Sequence, residues 1–301
     1  MIQINRKKWS DVLFFCLMMA IPLIQMLIFY VGVNFNSLSL MFKSYDIETG
    51  DYSIVYFDNF IKAFGEFKNN PLLSVSFKNS LIVSLSLIII SFPIGLLFSY
   101  AIFKKCFAHN IFKVVLFIPQ IVSVIVMTTM FNYFVEKAIP ELAKILFGKE
   151  MMGLFSETET AFPTLIFYTI WTSFGSSMLM YVGAMTSIDN SILEAANLDG
   201  TSPIQEFVYI ILPSIFSTIS VFLNITIVGI FSQQINLFSF FGTRAETNLY
   251  TIGYYLYRET QLATTYDYPY LATLGFLFTI VATIISFTAR HLMAKYGPSE
   301  E

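Results

Sequence analysis

The sequence has few charged residues, and this scarcity determines its class. Asp, Glu, Lys and Arg make up 12% of the 301 residues, whereas 56% of the residues are hydrophobic. An ordinary soluble domain contains roughly 25% charged residues, so the composition excludes a soluble globular fold. The formal net charge is only −3, and the chain shows no basic face of the kind that binds nucleic acid.

Cysteine and histidine are also scarce, with two of each. Cys16 and Cys106 are far apart in the chain, so no disulfide framework is indicated. His109 and His291 have no ligand partners at the spacing of a metal site. The apolar runs contain no His or Asp that could activate a serine nucleophile. These absences argue against a metal centre and against nucleophilic catalysis.

Long apolar runs dominate what remains. Six charge-free stretches occupy residues 12–33, 79–103, 114–135, 161–186, 213–236 and 268–289. Each is close to the roughly 20 residues that a helix needs to cross a bilayer. The runs are continuous rather than alternating, which excludes a β-barrel. The sequence therefore predicts an all-α polytopic membrane protein with six transmembrane helices.

The predicted domain plan follows from these runs. It comprises an N-terminal segment 1–11, a first transmembrane helix 12–33, an extracytoplasmic segment 34–78 and a five-helix core 79–301. Lys and Arg are concentrated in the short segments before the first run, between the second and third, and after the sixth. Because short cation-rich loops stay on the cytoplasmic side, both termini are predicted to be cytoplasmic.

The segment 187–212, between the fourth and fifth runs, departs from this charge rule. It is cytoplasmic by count yet contains no Lys or Arg, and it carries Asp189, Glu194, Asp199 and Glu206 instead. A loop that departs from the topology rule has another constraint acting on it. We refer to it below as the 187–212 loop.

Local signals predict two short helices in the 187–212 loop. The first would start near Asp189 or Ser191 and end at Gly200, because glycine adopts the left-handed conformation common at helix ends. The second would be capped by Ser202, with Gln205 completing a capping box. Helical spacing predicts one buried face on the second helix, formed by Ile204, Phe207, Val208, Ile211 and Leu212. The loop would then project an acidic surface rich in small residues.

The same loop resembles the EAA motif of bacterial ABC importer permeases. The resemblance is carried by Glu194, Ala195, Ala196, Asp199, Gly200, Phe207 and Pro213. The order of elements is similar to that of the sugar-importing branch, whose best-known member is the larger permease of the maltose transporter. The large extracytoplasmic domain of that protein has no counterpart here.

The resemblance implies a type I importer permease (MetI-like) fold and a set of partners. These are a second homologous permease subunit, two copies of an ABC ATPase and an extracellular solute-binding protein, assembled in the bacterial plasma membrane. The 187–212 loop would dock on the ATPase, with Glu194 meeting a basic residue and Gly200 allowing the turn. The chain contains no phosphate-binding G-x-x-x-x-G-K-[ST] motif. ATP and Mg would therefore bind to the partner, and this chain would be no enzyme and would hold no cofactor.

A plainer interpretation of the loop stays open. Ser191 and Glu194 have the spacing of a simple capping box, and Asp199 has the character of an ordinary helix-end residue. Glu194 can cap a helix and also meet a partner.

Polar residues inside the runs indicate a path for cargo. Thr169, Ser173 and Ser176 share one face of the predicted fourth helix, and Thr226, Gly229, Gln233 and Asn236 share one face of the fifth. Hydroxyls and amides on two such faces can hydrogen-bond a sugar. Small polar residues also line ordinary helix–helix contacts in membranes, so that alternative remains beside the path.

Carbohydrate, as a mono- or oligosaccharide, is the cargo that the resemblance to the sugar-importing branch implies. The runs contain no Asp, Glu, Lys, Arg or His, which favours a neutral or weakly charged cargo. The alternative is the same machine importing a polyamine, a phosphate ester or a peptide. A membrane-embedded enzyme would lack catalytic groups. A stand-alone channel would leave the acidic 187–212 loop unexplained.

Overall fold

The computed structural model describes residues 6–298, with the side chains of all of them except 6–8, 10 and 176. The predicted segment 1–11 thus lies partly outside the described residues, and the side chain of Ser176 lies outside them. Within 6–298, four helices are long and apolar enough to cross a membrane, and two bent helix pairs raise the number to six if each pair is one span. This agrees with the predicted six-helix fold.

The spans fall into two kinds. The continuous ones are Asp11–Leu40, Pro71–Phe103, Thr158–Thr186 and Tyr268–Tyr296. The third span is His109–Ile121 with Val124–Phe147, bent by 108°, and the fifth is Pro203–Ser214 with Phe216–Phe231, bent by 75°. Shorter helices are Asp58–Asn69, Asn190–Leu198, Leu237–Phe241, Thr247–Leu249 and Ile252–Leu262.

The first helix is longer than predicted. It runs to Leu40 and the second span begins at Pro71, so the connection between them is shorter than the predicted segment 34–78. That connection contains an antiparallel hairpin of Lys43–Tyr45 and Tyr52–Ile54.

By internal contacts the chain forms two compact units, Met1–Glu66 with Glu259–Leu277 and Phe67–Arg258 with Phe278–Glu301. In the first unit, the Asn59 amide donates hydrogen bonds to the carbonyls of Met41 and Lys43 at 2.9 and 2.7 Å. These bonds attach the helix Asp58–Asn69 to the hairpin.

In the second unit, polar side chains of the second span hold the junction between the helices Thr247–Leu249 and Ile252–Leu262 in place. The Asn79 amide donates to the carbonyls of Asn248 and Tyr250 at 2.7 and 2.9 Å, and the Ile252 N–H donates to the Ser80 hydroxyl at 2.9 Å. Buried backbone groups outside helices need such partners because no water is available in a bilayer.

Three helical turns are widened to the π form directly before a proline. The turns Leu87–Ser91, Phe134–Ala138 and Phe207–Ile211 each end two residues before Pro93, Pro140 and Pro213, respectively. A proline ring clashes with the carbonyl four residues earlier and cannot bond to it. In each case that carbonyl lies inside the π turn, and widening the turn relieves the clash. Each π turn also shifts the buried face of its helix by about one residue.

Candidate functional site

A polar cavity of roughly 500 Å³ lies among the third, fourth and fifth spans. Its polar lining residues are Gln120, Thr169, Thr172, Ser173, Ser232, Gln233, Gln234 and Asn236. No Asp, Glu, Lys, Arg or His is among the described residues that line it. Its volume is within the range of small-molecule sites, about 300–1,000 Å³.

Two interruptions of helical structure meet at this cavity. One is the bend of the third span, where Val122 has extended backbone angles. The other follows Phe231, where the fifth-span helix ends and residues 232–236 continue without helical structure. Non-helical backbone at membrane depth is tolerated only where it is buried in protein or lines a wet cavity. Interrupted helices are a recurrent feature of substrate sites in transporters.

The segment 232–236 is strained and firmly held. Ile235 and Asn236 have φ angles of 46° and 56°, a left-handed region that a β-branched residue such as Ile235 adopts only under constraint. The Thr251 hydroxyl donates to the Gln233 carbonyl at 2.7 Å. Gly253 lies so close that a Cβ atom there would be 2.6 Å from the Ser232 carbonyl. The surroundings therefore fix the conformation of this segment.

The hydroxyl groups of the cavity bond mainly within their own helix, and that of Ser173 also lies within hydrogen-bond distance of the Ser91 hydroxyl of the second span. Thr169 donates to the Leu165 carbonyl at 2.8 Å, and Thr172 donates to the Tyr168 carbonyl at 2.9 Å. Ser173 is within bonding distance of the Ile170 carbonyl at 2.7 Å. With their protons used in this way, these hydroxyls offer a ligand mainly acceptor lone pairs.

The side-chain amides of the cavity supply the donors. Gln120 donates to the Thr172 carbonyl at 2.6 Å. Among residues 6–298, no hydrogen bond is seen to the side-chain amides of Gln233, Gln234 and Asn236. Each amide offers two donors and an acceptor. The cavity thus presents unengaged, uncharged groups suited to a hydroxyl-rich ligand.

An aromatic cluster adjoins the cavity. Tyr168, which lines the cavity, is 1% exposed, and its ring lies 4.8 Å from Phe131 and 4.9 Å from Phe240. Trp171 packs on Phe131 at 6.1 Å and is not a lining residue. Of these aromatic residues, Tyr168 is the one that lines the cavity.

The 187–212 loop folds as its capping signals predict. The Asp189 carboxylate accepts the Ser191 N–H at 2.9 Å, which starts the helix Asn190–Leu198 and holds the pKa of Asp189 below its ordinary value. Gly200 has φ +70°, the predicted left-handed helix end. Ser202 and Gln205 form the predicted capping box.

The first loop helix presents an acidic and apolar surface. Glu194, Ala195 and Asp199 are exposed, and the Leu198 side chain is 89% exposed. Ala196 instead is buried, at 4% exposure.

The predicted face of the second loop helix is wrong in part. Ile204 and Val208 are 76% and 43% exposed, and Glu206, predicted to belong to the acidic surface, is only 2% exposed. Phe207 and Leu212 are half-buried and Ile211 is fully buried. The π turn Phe207–Ile211 is the cause, because the wider turn puts Glu206 on the same side as Ile211.

Comparison with known proteins decides the family. The profile of the binding-protein-dependent transport system inner membrane component matches residues 91–296. The chain belongs to that family. It is therefore a membrane-spanning permease component of a transport system.

Two curated relatives and one solved structure are similar to this permease. The arabinooligosaccharides transport system permease protein AraP of Bacillus subtilis is 23% identical over 89% of this chain and 85% of its own length. The probable starch degradation products transport system permease protein AmyD of Thermoanaerobacterium thermosulfurigenes is 24% identical over 57% of this chain and 58% of its own.

The structure is that of a bacterial alginate ABC transporter in complex with an alginate pentasaccharide-bound periplasmic protein. One chain of that structure aligns with 98% of this permease over 98% of its own length. The TM-score is 0.79 and the sequence identity is 20%. At this identity the likeness shows the fold, and it agrees with the predicted type I importer permease architecture.

The predicted path residues of the permease are only partly assembled. Thr169, Ser173, Gln233 and Asn236 line the cavity, whereas Thr226 and Gly229 do not. The single-face prediction for the fifth span is wrong, because it assumed a helix as far as Asn236 and the helix ends at Phe231. Gln120, Thr172, Ser232 and Gln234 were missed. A polar amide next to Pro119 in an apolar run was the available signal for Gln120.

Proposed function

We propose that this permease imports a carbohydrate, as a mono- or oligosaccharide, across the bacterial plasma membrane. The observation that carries the proposal is the uncharged cavity with three unengaged side-chain amides, Gln233, Gln234 and Asn236. Amides match the hydroxyls of a sugar in both directions, as donors and as acceptors. Arabinooligosaccharides, starch degradation products and alginate, named for the similar proteins, support the same cargo class.

The proposal extends to the orientation and the motor. With both termini cytoplasmic, as the Lys and Arg distribution predicts, the 187–212 loop would face the cytoplasm. There Glu194 and the exposed Leu198 and Ile204 would dock on an ABC ATPase, present in two copies, that binds ATP and Mg. The permease itself would hold no cofactor and catalyse no reaction.

Two further partners complete the assembly. A second homologous permease subunit is the partner that the resemblance of the 187–212 loop to the EAA motif of ABC importer permeases implies. A solute-binding protein outside the cell would deliver the sugar, a role suggested by the pentasaccharide-bound periplasmic protein in the alginate transporter complex.

In this mechanism, the free energy of ATP binding and hydrolysis acts on the docked loop. Movement of the loop would shift the spans between two states that open the cavity to opposite sides. A partner drives such a shift only if it contacts the two states differently, and a docking surface that moves with the spans provides that difference.

The test is uptake by the assembled transporter. The permease is produced with its co-encoded partners in cells lacking other sugar importers, and uptake is measured for labelled maltotriose, arabinotriose, an alginate trisaccharide and spermidine. Saturable, ATP-dependent uptake of at least one saccharide is expected. Uptake of spermidine alone would overturn the carbohydrate assignment, and an inactive-ATPase variant provides the background.

A further inference from the structure

One ion pair joins the 187–212 loop to the second span. The Lys104 ammonium lies 2.9 and 3.0 Å from the two carboxylate oxygens of Glu206. Lys104 follows the last residue of the helix Phe92–Phe103, and Glu206 is 2% exposed. The ion pairs Lys62–Glu66 and Lys144–Glu150 join residues only four and six positions apart. This one spans 102 positions.

Two further contacts act at the same place. The Tyr100 hydroxyl donates to the Pro203 carbonyl at 3.1 Å, and the rings of Tyr100 and Phe207 lie 4.9 Å apart. One turn of the second span thus contacts the start of the second loop helix through a charge pair, a hydrogen bond and a ring contact. The two elements are attached to each other, whereas the first loop helix presents Glu194 and Leu198 to the outside.

Packing alone does not explain a carboxylate at position 206. A buried charge loses its hydration, and a well-packed apolar pair is often equally stable or more so. An ion pair differs from an apolar pair in that each member requires the other, because a buried carboxylate that loses its ammonium partner is left as an uncompensated charge.

We propose that Lys104 and Glu206 are positioning residues that transmit movement of the 187–212 loop to the second span. The inference rests on the proposed function, because it assumes that the loop receives movement from an ATPase. The first loop helix would be the surface on which force acts. Through the Lys104–Glu206 pair, the second span would move together with the loop. Leu87, which lies on that span and lines the cavity, would move with it.

The experiment compares uptake per ATP hydrolysed in the complete transporter. The variants are Glu206→Gln, the apolar double variant Lys104→Met with Glu206→Met, and the swapped double variant Lys104→Glu with Glu206→Lys. Lys144→Gln is the matched control, because it breaks an ion pair of similar length, 2.8 Å, whose side chains are 64% and 80% exposed. Membrane-inserted amount and thermal stability are measured for each.

Glu206→Gln should lower uptake per ATP roughly fivefold or more, while ATP hydrolysis continues. The apolar double variant should keep wild-type thermal stability and still show this loss, and the swapped variant should recover most of the uptake. Lys144→Gln should behave as the wild type. If Glu206→Gln does not insert, the apolar double variant decides the matter on its own.

Full uptake per ATP in the apolar double variant would overturn the positioning role and leave the pair purely structural. This outcome is distinct from failure of the proposed function. In that case the wild-type complex itself would show no ATP-dependent saccharide uptake, whatever the variants do.

Discussion

The cavity and the 187–212 loop are both polar, yet they are assembled in opposite ways. The loop is built from local signals, in which a cap, a left-handed glycine and a capping box all lie within 17 residues, from Asp189 to Gln205. The cavity is built where two interrupted spans meet, with Gln120 and Gln233 brought together from distant parts of the chain. One region depends on local backbone geometry and the other on tertiary packing.

This difference suggests that the two regions can be disabled separately. A change in the loop should affect the link to ATP hydrolysis and leave cargo recognition intact. A change in the cavity should affect cargo recognition and leave the ATPase bound. The predictions that follow test this separation and are ordered from the largest expected effect to the smallest.

Gly200→Val should have the largest effect, lowering uptake at least tenfold. At φ +70° a side chain is disfavoured by roughly 1–2 kcal/mol, and a β-branched one more so, which would disrupt the turn between the loop helices. No atom lies within 4 Å of a Cβ added there, so the effect would come from the backbone alone. Uptake and ATPase co-purification are the measurements.

Gly183→Val is the control for this change, because Gly183 is exposed, helical and equally free of neighbours. It should leave uptake near the wild-type level. Gly200→Asn should be milder than Gly200→Val, since asparagine tolerates the left-handed region. Equal uptake in Gly200→Val and the wild type would show that the turn is not needed.

Glu194→Lys should weaken ATPase association by about tenfold, or about 1.4 kcal/mol, because an exposed acid proposed to face a basic partner becomes repulsive. Saccharide affinity should not change. Association is measured by titrating detergent-solubilised permease with the ATPase at two salt concentrations. Glu150→Lys, a charge reversal at another exposed position, should leave association unaltered, and an equal loss there would contradict a specific contact.

Gln233→Ala should raise the saccharide concentration for half-maximal uptake roughly fivefold, the loss expected for one hydrogen bond of about 1 kcal/mol. Basal ATP hydrolysis should persist. Thr226→Ala, on the helix that precedes Gln233, is the matched control, since the Thr226 hydroxyl bonds to the Phe222 carbonyl at 3.0 Å and does not line the cavity. Similar behaviour of the two variants would remove the cavity as the cargo site.

The smallest effect is expected at Asp189. Its pKa is held below the ordinary carboxyl value by the Ser191 N–H, so its helix-capping contribution is present above that ordinary value. The contribution is lost only as the pH falls through the lowered pKa. From pH 8 to pH 5, the ratio of the amide hydrogen exchange rates of Asn190–Leu198 in the wild type and in Asp189→Asn should thus stay constant. In Asp189→Ala the same amides should exchange faster over the whole range. A loss of protection already at pH 6 would contradict the assignment.

The sequence predicted the parts of the molecule that depend on neighbouring residues. Six apolar runs, the Asp189 cap, the Gly200 turn and the Ser202–Gln205 capping box are all found. Each follows from composition or from contacts within a few residues. The functional roles given to these residues stay predictions.

The predictions that were wrong concern places where a helix loses its regular period. Helical spacing placed Thr226 and Gly229 beside Gln233, but the helix ends at Phe231. It also placed Ile204 and Val208 inside and Glu206 outside, and the π turn before Pro213 reversed this. Proline spacing was the one available clue, since three π turns end two residues before a proline.

The absence of glycine from residues 232–236 has a consequence for ligand affinity. A glycine at position 235 would adopt the left-handed angles easily, but it would also leave the free segment many conformations to choose from. With Ile235 and Asn236 held in one conformation, the amides beside them are oriented before any ligand arrives. Binding at the proposed cargo site would then lose less conformational entropy, so a weakly interacting, well-hydrated molecule could be held with few contacts.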